Sequence, residues 1–241
     1  MTQPSTEITR LRDKASTDRG GLNELLESVH IGHFGLVDPA SGMPVVIPTA
    51  IVRDGDRILV HGSTGSRWMR LLAGGAPTCL AVTADDGIVV ARSAFESSIH
   101  YRSAVLFGSC AVLGSDEQGR ALDLITDALI PGRVAELRRP RPSELAATLV
   151  MVLPIERWSL KVSDKWPEDF EDDVSGPAWA GIVPRIHAYG APVAAPDLRE
   201  GIDVPQSVAK PLIGLSQPRA GRCLHVVGKR RRSGHDRHTE N

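Results

Sequence analysis

The chain opens polar and takes up a helical rhythm at "GLNELLESV" (21–29), where Leu22, Leu25, Leu26 and Val29 recur three and four residues apart. This predicts a short helix packed on a core. The period then changes. "IGHFGLVDPASGMPVVIPTAIVRDGDRILVHG" reads as three strands, near 31–37, 44–53 and 57–62, joined by the turn formers "DPASG" and "RDGD". Pro48 falls inside the middle strand, which demands an edge position or a bulge. "STGSRWMRLLAGG" returns to helical spacing, with Ser63 or Thr64 as cap, Trp68, Leu71 and Leu72 as the apolar face, and Gly74-Gly75 as the stop.

"PTCLAVTA" and "GIVVARSA" then read as two strands across a "DDG" turn, and "YRSAVLFGSCAVLG" as a long strand with Gly108 at a bulge or kink. "SDEQGRALDLITDALI", capped by Ser115 or Asp116, carries the stripe Ala121, Leu122, Leu124, Ile125, Ala128 and Leu129. "SELAATLVMVLPIERWSLKV" predicts a short helix and one strand near 150–162. "PAWAGIVPR" is the last segment expected to be ordered. Hairpin-linked strands with few helices between them exclude a parallel doubly wound sheet. They predict a mainly β fold, a six- to seven-stranded antiparallel closed or split barrel with flanking helices. The expected division is a flexible segment at 1–20, the barrel at 21–190, and a largely disordered Pro/Gly/Arg-rich tail at 191–241.

Composition narrows the class. Hydrophobic residues at 41% and charged ones at 24% suit a globular domain with a real core, and no apolar run is long enough to span a bilayer. With no leader-type apolar stretch and three scattered cysteines, neither a disulfide framework nor a zinc site is predicted, and a cytoplasmic setting is expected. The net charge of −1 hides an asymmetry: residues 207–241 hold eight Lys/Arg against two carboxylates, leaving 20 basic and 27 acidic side chains in the rest. The body is acidic and the end basic. A solvated tail accounts for such an end, and nucleic acid is not expected as a partner.

Two stretches carry donors. In "RILVHGSTGSRWMRLL" (57–72) a strand enters a Gly-containing turn and then a helix with Arg67 in its first turn. Unpaired helical N–H groups, the dipole and Gly62 and Gly65 suit an anion there, and an ordinary capped helix is the alternative. In "ARSAFESSIHYRSAVLFG", Arg92, His100, Arg102 and Ser103 stand where a strand begins. In a barrel these mouths could meet around a ligand with a phosphate and a flat apolar body.

The ordered set "VVIPTAIVRDGD", "LVHGSTGSRW", "VARSAF", "YRSAVLFG", "PGR" at 131–133 and "PAWAGIVP" at 177–184 resembles the pyridoxamine 5′-phosphate oxidase-like FMN-binding split barrels. Within them it is nearest the flavin-nucleotide-binding, nitroimidazole-resistance-type branch, over residues 19–198. The resemblance implies a homodimer with an FMN in each of two clefts at the subunit interface. Carried over by position, Pro48, Thr49 and Ala50 line the isoalloxazine through their backbone. His61, Gly62, Ser63, Ser66 and Arg67 surround the ribityl phosphate, and Arg102 and Ser103 contribute from the next barrel strand. Trp68 replaces a second cation. The C-terminal Arg/His elements that bind pyridoxamine phosphate are not evident, which argues against that substrate. His100 is the candidate acid/base, with a simply hydrogen-bonded role as its alternative. The function implied is an FMN-dependent oxidoreductase acting on a small molecule. The alternatives are a flavin or haem carrier, with His100 or His61 on the iron, and a deazaflavin F420 reductase.

Overall fold

A computed structural model of the protein describes residues 5–209. Its strands are β1 (Ala15–Ser16), β2 (Ile31–Val37), β3 (Pro44–Ala50), β4 (Val52–Asp54), β5 (Arg57–Ser63), β6 (Pro77–Val90), β7 (Ser98–Ser109), β8 (Ala111–Val112), β9 (Thr148–Pro154), β10 (Arg157–Ser163) and β11 (Gly181–Pro184). The helices are α1 (Arg19–Ser28), α2 (Arg67–Ala73), α3 (Ser115–Leu129), α4 (Pro142–Ala146), α5 (Glu171–Val174) and α6 (Gln206–Ala209). The larger sheet runs β1-β10-β7-β6-β2-β3, with β11 also on β6, and the smaller runs β4-β5-β9-β8. Every pairing is antiparallel. This is the mainly β split barrel with flanking helices.

Three short breaks move the chain between sheets: at Ile51 between β3 and β4, at Cys110 between β7 and β8, and at Ile155-Glu156 between β9 and β10. Each predicted strand that spans one of these points is therefore two strands. Ile51, Cys110 and Ile155 are buried at the corners, so each bend that carries a strand from one sheet to the other is anchored in the core by an apolar side chain. One core fills the space between the sheets, built on Phe34, Ile58, Val60, Leu80, Leu106, Met151 and Leu153. The Leu22-Leu25-Leu26 stripe of α1 joins it, with the Asp18 carboxylate accepting from Gly20 N–H at its start. Burying those leucines is worth about 1.5–3 kcal/mol each. A second cluster joins Leu59, Val150 and Val152 to Ala121 and Ile125 of α3, so α3 covers the outer side of the small sheet.

The "DDG" turn is corrected. Residues 77–90 form one continuous strand paired to β7 along its length, with a register shift between Asp85 and Gly87. The three residues make a bulge because β7 holds both sides in register and Asp86 is tied to Arg102 across the pair. One edge of β6 takes β2 at Cys79–Ala81 and then β11 at Gly87–Val90. Gly87 has φ +155°, and a Cβ there would lie 2.6 Å from the Val183 carbonyl oxygen. The Gly87→Ala substitution is therefore expected to loosen β11, read as faster limited proteolysis within residues 164–185. An unchanged cleavage rate would contradict that packing. Pro48 sits on the edge strand, as its missing N–H requires.

The N-terminal segment is laid along the large sheet, Ala15 and Ser16 pairing with Lys161 and Leu160. From Arg185 to Pro205 the chain is irregular and exposed, and the basic end beyond residue 209 lies outside the described residues. Among the described residues no helix is long and apolar enough to cross a membrane.

Candidate functional site

The strand-to-helix corner forms, but the helix is capped at Ser66 rather than at Ser63 or Thr64, because Ser63 still belongs to the strand. β5 ends at Ser63, and α2 starts at Arg67 after the Ser66 cap. Three turn N–H groups are already used: Thr64 donates to the Ala147 carbonyl (3.0 Å), Gly65 to Ser63 Oγ (3.1 Å) and Ser66 to the Ser63 carbonyl (3.0 Å). The first helical bond runs from Arg70 N–H to the Ser66 carbonyl, so the N–H groups of Arg67, Trp68 and Met69 have no acceptor within the helix. The Ser66 hydroxyl makes no cap bond. Gly62 turns the other way, where a Cβ would meet Met69 at 3.0 Å.

Arg67 is largely exposed but not free. Its Nη2 donates to Asp38 Oδ1 at 2.5 Å, and the Asp38 carboxylate also accepts from Ala40 N–H and the Ser41 hydroxyl. The Ala40 N–H, then Ser41 and Arg67, hold the Asp38 pKa below the usual carboxylate range. Asp38 is thus part of the corner, a residue that sequence reasoning read only as a turn former. Its Asp-x-Ala-Ser turn was visible, whereas a pairing across 29 residues leaves no local signal.

Arg102 and Ser103 diverge. Neighbours on a strand face opposite ways, and here Arg102 shares the side of buried His100 and Ala104 while Ser103 shares that of Val105. Arg102 is clamped on Asp86 by two bonds of 2.8 and 2.9 Å, which raise its pKa. Arg92 is likewise held, by its N–H and guanidinium, on the carboxylate of Asp169. Along β3, Pro48 and Ala50 lie on the outer face of the large sheet. They are register partners of His33 and Ile31, and His33 in turn faces Ala81 on β6.

The histidines separate by environment. His100 is 6% exposed and its Nε2–H donates to the Lys165 carbonyl at 2.8 Å. His61, half-buried on the face of β5 that carries Leu59, has a buried Nδ1 with no hydrogen-bond partner among the described residues. Burial lowers its pKa, so the ring is held neutral. A neutral imidazole without a committed nitrogen is what a metal centre requires. Cys110 is buried, its thiol pushed up to about 12, and is inert. No cluster of three or more His, Cys, Asp or Glu able to hold a metal occurs among the described residues.

A two-sheet split barrel with a donor-lined corner defines the class. Residues 18–162 match the family model described as pyridoxamine 5′-phosphate oxidase, and the chain belongs to that family. It is 48% identical to the FAD and heme binding protein from Mycobacterium smegmatis, over 85% of this chain and 100% of that one, with a TM-score of 0.80. It is 31% identical to the flavocytochrome Anf3 from Azotobacter vinelandii, over 87% and 97% of the two chains, also at 0.80. A candidate 5-nitroimidazole antibiotic resistance protein from Bacteroides thetaiotaomicron shares the fold at 17% identity, covering 61% and 86%, with a TM-score of 0.53. No curated protein matches the chain.

Proposed function

We propose that the protein binds a flavin and a haem, and moves electrons between them as a homodimer. The observation that carries this reading is the neutral, uncommitted imidazole of His61 in a chain 48% identical to an FAD and heme binding protein. On this reading the flavin is FAD rather than the expected FMN, since the relative's name specifies FAD. His61 is preferred to His100 as iron ligand because the His100 Nε2 is already engaged by a backbone carbonyl.

The residues present fit the flavin, and His61 offers the iron a neutral ring. Arg67, the Ser63 and Ser66 hydroxyls and the unpaired N–H groups of α2 hold phosphate, and the exposed edge of Pro48–Ala50 offers backbone groups to a flat ring. When bound, the flavin supplies hydride chemistry and the haem one-electron chemistry. The chain's own part is to orient the two and to keep the His61 ring unprotonated.

Exposed apolar surface supports a second copy as partner. Val183, Ile88 and Ile99 are cross-strand neighbours at 48%, 49% and 50% exposure, Val46 is at 63%, and Trp179 at 66%. A contiguous apolar row on a twisted sheet marks an association surface. The test is the absorption spectrum of the purified protein: flavin bands and a Soret band together are expected. Flavin bands alone would return the reading to a flavin-dependent oxidoreductase acting on a small molecule. A colourless protein indifferent to added flavin and haem would remove it.

A further inference from the structure

Between β10 and β11 the chain crosses the end of the barrel where β6 stops and β7 starts, as a strap over residues 164–174. The strap is pinned at two points. Its Lys165 carbonyl accepts from buried His100 at 2.8 Å, and Lys165 Nζ donates to Asp13 at 2.7 Å. Four residues on, the Asp169 carboxylate, 1% exposed, accepts from the Arg92 N–H at 2.7 Å and from its guanidinium at 2.9 Å. His100 and Ile99 face opposite ways along β7. The strap therefore meets β7 on the side away from the apolar row that includes Ile99.

This anchored backbone holds apolar side chains out in solvent. Trp166 is 61% exposed and Phe170 67%. Carboxylates flank them. Glu168 reaches only Lys165, at 3.9 Å, and Glu171, Asp172 and Asp173 in the first turn of α5 make no ion pair among the described residues. Solvation alone accounts for the carboxylates but not for two exposed rings on a fixed backbone. Together they suit a cationic segment that lays guanidinium groups on the rings and pairs with the carboxylates.

Such a segment belongs to this chain. Residues 210–241, outside the described residues, hold eight Lys/Arg against two carboxylates, and four of the eight form the run Lys229-Arg230-Arg231-Arg232. Their starting point is fixed, because Ser207 of α6 donates to the Glu136 carboxylate through its N–H at 3.2 Å and its hydroxyl at 2.5 Å. The twenty residues from Ala209 to Lys229 span at most about 70 Å. A compact body of this size has a radius of gyration of about 17 Å, so the run can reach any face of it.

We propose that the basic run 229–232 docks on the acidic, aromatic strap of its own chain, across the end of the barrel. The assignment is independent of the flavin and haem reading. Timed trypsin digestion of the full-length protein tests it, with initial cleavage within 229–232 read by mass spectrometry against cleavage at Arg199 in the exposed segment. Relative cleavage of the run is expected to be about fivefold or more slower at about 10 mM salt than at about 1 M, where surface charges are screened. The triple variant Glu171→Gln, Asp172→Asn, Asp173→Asn is expected to lose that protection. Trp166→Ala is expected to weaken it about twofold to fivefold, the scale of an exposed cation–π contact. None of these four side chains is buried, so the variants keep the fold, and unaltered circular dichroism verifies this. Equal cleavage of the wild-type and triple-variant chains at low salt would overturn the proposal. So would protection that grows with protein concentration, which would assign the strap to a second molecule.

Discussion

The His61→Ala variant is expected to lose the Soret band while keeping its flavin. His61 lies beyond the part of β5 that β4 covers, and its pairing with Val150 of β9 is made by the backbone, which the substitution keeps. The substitution removes a buried nitrogen that has no partner, so the fold has no hydrogen bond to lose. Haem retention measured against flavin retention in one preparation separates ligation from general damage. Parallel loss of both cofactors would show that His61 is structural. The same ring has a pH signature. Burial depresses its pKa, so below about 6.5 the unfolded chain takes up a proton that the folded chain resists. Its contribution is therefore intact at neutral pH and declines as the solution is acidified through the unfolded value. Haem release on acidification is expected only below the pH at which an exposed histidine would already be charged.

The second large effect is expected at the corner. Arg67→Ala should weaken flavin retention by about tenfold to a hundredfold, because it deletes the guanidinium in the first turn of α2, beside its free N–H groups. Dialysis followed by measurement of residual flavin reads this directly, and full occupancy in the variant would dismiss the corner as a phosphate site. Asp38 adds a sign that the sequence did not reveal. Its carboxylate competes with the phosphate for Arg67, so Asp38→Asn should release the guanidinium and tighten flavin. Lowering the pH through the depressed pKa of Asp38 should act in the same direction.

What was legible follows from range. The Leu22-Leu25-Leu26 stripe, the strand at 31–37 and the strand ending in the Arg67 helix are local patterns, and the chain folds as they predict. The residue set "LVHGSTGSRW" located the corner because turn, cap and cation are adjacent in sequence. The breaks at Ile51, Cys110 and Ile155 were missed because an apolar residue between two strands reads the same whether the chain continues or changes sheet. The bulge at Asp85–Gly87 was misread for a related reason. "DDG" has turn chemistry, and only β7 and β11 lying along both halves keep it extended. The pairings of Arg67 with Asp38 and of Arg102 with Asp86 decide how each cation is used, and neither leaves a trace in local spacing.

The corner residues that carry the chain from one sheet to the other set an order of events during synthesis. β5 waits for β9, which lies some ninety residues downstream, and β7 waits for β10. The segment from Thr148 to Ser163 thus closes both sheets at once, and a nascent chain lacking it has two unsatisfied edges. Loop closure over such separations is slow, and nothing rewards it until the last strands emerge. The barrel is therefore expected to close only after residue 163 has been made, and a chain halted before residue 148 is expected to leave the β5 and β7 edges open to other chains.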